Sequence, residues 1–138
     1  MADSSILISK YVQSILEESE EVRAIIGDNQ HKIFPLLQPE NLKFPFIVHS
    51  RLSLTTQYTK DFPLTFGWTN EITYVVSCVS DDYIQCIELA NAVRHSMEGY
   101  RWKSEEINIE PIQLMNVSEY TVDDTTFVEE LQFKIQAQ

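Results

Sequence analysis

Ile8, Tyr11, Val12, Ile15 and Leu16 recur at helical spacing behind the capping candidates Asp3, Ser4 and Ser5, so an amphipathic helix is predicted to begin near Ser5. Val22, Ile25 and Ile26 continue its apolar face, Ser19 can cap a second turn, and Gly27 offers the left-handed conformation that ends helices. The first helix is expected over residues 5–26 with a break near Ser19. An apolar run at 31–37, closed by Pro35 and Pro39, is expected as a short edge strand, because proline cannot donate to a ladder. Phe44, Phe46, Val48, Leu52 and Leu54 then alternate with His49, Arg51, Ser53 and Thr55, the period of a strand with one buried face, running as far as Tyr58. Residues 57–67 have no period and hold Pro63 and Gly67, so a loop is predicted there.

Trp68, Ile72, Tyr74, Val76 and Cys78 fall at even spacing in a third strand. Ser80, Asp81 and Asp82 bring capping oxygens and negative charge to a helix start, and Tyr83, Cys86 or Ile87, Ala90, Val93 and Met97 form the apolar line of a second helix that Gly99 stops. After a connector holding Trp102, Ile112, Leu114, Tyr120 and Val122 fit a fourth strand. Phe127, Leu131, Phe133 and Ile135 fit a fifth, with Val122, Asp123, Asp124 and Thr125 as the hairpin turn. The order α-β-β-β-α-β-β predicts the α+β class: a mainly antiparallel sheet of about five strands, two helices packed on one face, and a single domain over residues 1–138.

Composition narrows the function classes. A chain of 138 residues with 43% hydrophobic and 22% charged residues has ordinary globular usage and supports one core. No apolar run approaches the ~20 residues of a spanning helix. The N-terminus is acidic where a secretory signal would be basic, so the chain is expected in a cytoplasm. Ten Lys and Arg against 21 Asp and Glu give a net charge of −11, which opposes attraction to phosphate backbones and argues against sequence-specific nucleic-acid binding. A channel wall past which DNA slides would tolerate that sign.

No catalytic constellation is visible, and the chain is not expected to be an enzyme. Its three glycines, Gly27, Gly67 and Gly99, all sit at boundaries, leaving no phosphate-cradling loop. His31, His49 and His95 lack metal-ligand spacing and are expected to be solvated or hydrogen-bonded. Glu17, Glu18, Glu20 and Glu21 are expected on a solvated helix face. The pairs Asp81-Asp82 and Asp123-Asp124 are explained as a cap and a turn. Cys78 and Cys86 are expected as buried thiols, and no nucleophile has a helper nearby. No cofactor and no metal is predicted.

The loop at 57–67 is the exception. Tyr58, Phe62, Phe66 and Trp68 crowd aromatics into it or beside it. Either they fold back to close the end of the core, or they anchor a subunit interface, where aromatics carry much of the binding energy.

The residues also resemble a family. Gly27-Asp28, Lys32-Ile33-Phe34-Pro35-Leu36 and Pro45-Phe46-Ile47-Val48 are similar to the opening blocks of the tail-completion, or tail-terminator, proteins of long-tailed bacteriophages and prophages. Tyr83, Leu89-Ala90, Ala92-Val93-Arg94 and Gly99 resemble that family's helix after a central strand. Ser118-Glu119-Tyr120 through Asp123-Asp124 and Leu131-Gln132-Phe133 resemble its closing hairpin. The resemblance implies a structural virion subunit that forms a ring, commonly of six copies, on the head-proximal end of the tail tube. Its implied partners are itself, the tail-tube protein and a head-connector or neck protein, with DNA passing through the lumen. Other small neck or head-closure proteins, and noncatalytic protein-binding adaptors, are the alternatives.

Overall fold

The computed structural model describes residues 5–27, 32–36, 43–58, 68–104 and 107–137. A 3₁₀ turn at Ser5–Leu7 leads into α1 (Ile8–Glu18), which stops at Ser19; α2 (Glu20–Ile26) follows at once. Ser19 has extended backbone angles, and its hydroxyl accepts from the Val22 N–H at 3.3 Å, so the residue that ends one helix caps the next. Gly27, at φ +89°, closes α2 with a backbone conformation that side chains rarely adopt.

Among the described residues seven strands make one sheet: β1 (Ile33–Pro35), β2 (Phe46–Tyr58), β3 (Trp68–Ser80), β4 (Trp102–Lys103), β5 (Asn108–Ile109), β6 (Gln113–Val122) and β7 (Thr126–Ala137). Their order is β1-β2-β3-β7-β5-β4, and β6 pairs with β7. The helix α3 (Tyr83–Met97) links β3 to β4.

The α+β class stands as expected, with corrections in detail. Three described helices replace two, because the break at Ser19 is complete. Seven strands replace five: β4 and β5, two residues each, lie in the connector after α3. The sheet is mixed, since β1 runs parallel to β2 while the other pairs are antiparallel.

The face of β2 also needs correction. Ile47 and His49, not Phe46 and Val48, face the helices, and Leu52 is 65% exposed. A bulge between Arg51 and Ser53 inserts Leu52 as an extra residue and switches the parity, so that Leu54 reaches the helix side opposite Ile72. One alternation read through the bulge therefore assigns the first half of the strand to the wrong face.

The main core lies between the helices and the sheet. Val12, Leu16 and Val22 of the first two helices, and Leu89, Val93 and Met97 of α3, pack on Ile72, Tyr74 and Val76 of β3 and Leu131, Phe133 and Ile135 of β7. Each fully buried aliphatic or phenyl side chain contributes about 1.5–3 kcal/mol. Phe46, Val79 and Val128 form a smaller cluster on the other face, where β2, β3 and β7 bring them side by side.

Candidate functional site

The β6–β7 hairpin carries the least covered surface of the described fold. Leu114 is half-buried, but Met115, Val117, Tyr120 and Val122 are all exposed, so both faces of β6 are bare beyond it. One edge of β6 bonds to β7, and its other edge pairs with no described strand. Such an edge is a template for another chain unless something covers it. A bulge at Met115, between Leu114 and Asn116, shifts the register midway. Asp123, at φ +53°, turns the hairpin and accepts from the Thr125 N–H at 3.2 Å and hydroxyl at 3.1 Å, as an acidic turn residue should.

Where α3 begins, it crosses this hairpin and forms an open cleft of about 330 Å³ lined by Tyr83, Glu119, Phe127 and Glu129, among others. Asp82 caps α3 by accepting from the Ile84 N–H at 3.1 Å, which holds Tyr83 in the first turn. The Tyr83 ring meets Phe127 edge-on at 5.6 Å, and its hydroxyl donates to Glu119 at 3.0 Å. Glu119 and Glu129 are register partners, and Glu129 is only 5% exposed. Burial, then the hydrogen bond and the charge of Glu119, push Glu129 up to about 7. No Lys or Arg among the described residues pairs with either carboxyl.

A second polar cluster is internal. The His49 Nδ1 lies 2.7 Å from the Tyr74 hydroxyl, and Nε2 lies against Gln13 Oε1. Gln13 Nε2 donates to the Ile33 carbonyl at 3.0 Å and to Glu17 at 2.7 Å. Because Gln13 presents its oxygen, Nε2 of His49 carries the proton and Nδ1 accepts from Tyr74. Burial lowers His49 to about 4 and raises Tyr74 to about 12, so both are neutral. This network joins α1 to β1, β2 and β3 inside the core and opens to no described cleft. His49, expected on a polar strand face, is 1% exposed and bonded at both nitrogens.

The aromatic candidates divide. Tyr58 and Trp68 are register partners at the last rung of the β2–β3 ribbon. Phe62 and Phe66 lie outside the described residues, as does His31. His95 is exposed on α3 beside Glu21, at 3.0 Å. Glu18, Glu20 and Glu21 are exposed, and Glu17 is half-buried. Cys78 and Cys86 are buried thiols; burial raises both, Cys86 to about 11, and the Cys86 thiol donates to the Cys78 carbonyl at 3.2 Å. No described cluster of three His, Cys, Asp or Glu residues suits a metal ion.

The pairing of Glu119 with Glu129 was missed in the sequence, although a signal was present. Glu129 occupies the position that alternation assigns to the buried face, between Phe127 and Leu131.

One chain of a solved particle shares this fold. It belongs to a structure described as "Virion of native gene transfer agent (GTA) particle", and it superimposes with a TM-score of 0.72 at 15% identity, covering 91% of this chain and 90% of that one. Likeness at that identity establishes the architecture. No protein-family model matches the sequence, and neither does any curated protein.

Proposed function

We propose that this chain is a noncatalytic structural subunit of a phage-like virion, which self-associates into a ring that terminates the head-proximal end of a tail tube and joins tail to head. One observation carries the proposal: nearly the whole chain, 91% of it, takes the fold of a chain from a gene transfer agent virion. The residue resemblance to tail-completion proteins narrows the position within the particle, and the free edge and bare faces of β6 supply a surface for assembly. Closed rings need two different patches on each subunit. Tyr58, Phe62, Phe66 and Trp68 are proposed as one of them, because aromatic side chains carry much of the energy of protein interfaces and Tyr58 pairs with Trp68 at the last described rung of the β2–β3 ribbon.

Mass measurement in solution tests the ring. A defined oligomer of several copies is expected, and a chain that remains monomeric both alone and with a tail-tube protein contradicts it. Replacing Phe62 and Phe66 by serine is expected to leave a folded monomer. Unchanged assembly of that variant would remove these aromatics from the interface.

A further inference from the structure

The cleft under Tyr83 holds two facing carboxyls, and no described cation neutralises either. Glu129 is more than nine-tenths buried, lines the cleft, and faces Glu119 with no described cation beside either. Two carboxyls in one partly dry site repel when both ionise, unless a positive group enters. The cleft is also aromatic, with Tyr83 41% exposed and Phe127 against it. A flat aromatic or guanidinium group would find stacking surface and acceptors together there.

The fold presents such a group at its opposite end. Arg101, Trp102 and Lys103 are consecutive and exposed, Trp102 at 45%, on and beside the two-residue strand β4 that ends the sheet. Neither Arg101 nor Lys103 forms an ion pair among the described residues. Among the described residues, the only acidic one lining the same groove is Glu110. β4 reaches β7 through β5 at Ala137, whereas the cleft lies at Phe127 and Glu129. Ten residues of strand, about 33 Å, separate the two ends of β7.

We infer that the cleft formed by Tyr83, Glu119, Phe127 and Glu129 receives the Arg101-Trp102-Lys103 edge of a second copy of this chain. The contact deepens the ring proposed above and rests on it. Patches at opposite ends of one sheet join subunits head to tail, the heterologous geometry that closes into rings. In a chain with 21 acidic and 10 basic side chains, an exposed cationic pair around a tryptophan is a scarce complement to the acidic cleft. Trp and Arg are also the residues that most often dominate interface energies. Glu129 is already buried in the subunit, so its ionisation is opposed there and an entering cation would favour the charged form.

Zero-length carbodiimide crosslinking of an equal mixture of ¹⁴N- and ¹⁵N-labelled chains reads the contact directly. Mixed-isotope peptides joining Lys103 to Glu119 or Glu129 are expected. The double variant R101E/K103E is expected to remain folded and to self-associate about tenfold or more weakly, and adding E119K to the same chain is expected to restore association. Wild-type oligomers that form equally well with R101E/K103E, and give no such crosslink, would overturn this contact while leaving the ring intact. A wild-type chain that never self-associates would overturn both.

Discussion

Glu119 and Glu129 stand opposite one another across the β6–β7 ladder, and burial, with the hydrogen bond and charge of Glu119, holds the Glu129 carboxyl above its ordinary range. The folded-state value of Glu129, about 7, lies above its ordinary 4.5. A raised carboxyl stabilises the fold fully below the lower value and loses that contribution as pH rises through the higher one. Urea midpoints of the wild type and Glu129→Gln, compared near pH 5 and near pH 8, test this. The variant is expected to gain on the wild type by on the order of 1–3 kcal/mol over that interval. Parallel behaviour of the two proteins would show that Glu129 titrates normally.

His49 has the opposite sign. Its folded value of about 4 lies below the ordinary 6.5, so its contribution is complete above 6.5 and declines as pH falls toward 4. Between about 4.5 and 6.5 the two groups therefore oppose each other, and Glu129→Gln is expected to expose the His49 limb as a steeper acid loss. His49→Leu should remove that limb. At neutral pH it is expected to cost about 2–4 kcal/mol, because it leaves the buried Tyr74 hydroxyl without its acceptor and the half-buried Gln13 oxygen without its donor.

Ser19 tests how the helical layer is joined. Its hydroxyl caps α2 and also accepts from the Ser96 hydroxyl of α3 at 2.6 Å. Ser19→Ala is expected to cost about 1–2 kcal/mol in chemical denaturation, while Ser14→Ala, on the exposed side of α1, should change stability by less than about 0.5 kcal/mol.

The bare surface of β6 separates folding from assembly. Val117→Asp and Met115→Asp alter side chains that are 45% and 59% exposed. Each is expected to shift the unfolding free energy by less than about 0.5 kcal/mol and to reduce assembly measured by sedimentation. A large loss of stability would instead mean that the described hairpin packs against residues outside it.

What could be read from the sequence follows the reach of periodicity. The break at Ser19, the cap at Asp82 and the turn at Asp123 were legible because each depends on residues within one turn of itself. The strands β4 and β5 were not, since two residues carry no period. The parallel sense of β1 was hidden because a lone strand's pattern is the same in either direction. The buried face of β2 was misassigned because the bulge at Leu52 reverses the alternation midway. At the candidate site, Glu129 stood at a core position of β7 in plain alternation, but its partner Glu119 comes from another strand and is set by register alone. The basic edge at Arg101 and Lys103 is a pattern of composition. Only the fold places it at the far end of β7 from the cleft.

Electron microscopy of the purified chain mixed with the tail-tube protein proposed as its partner bears most directly on the proposed role. Rings of a fixed number of subunits, and tubes of arrested length carrying one ring at a single end, are the expected result. Tubes that grow to the same length with and without the chain, and carry no density at either end, would contradict it.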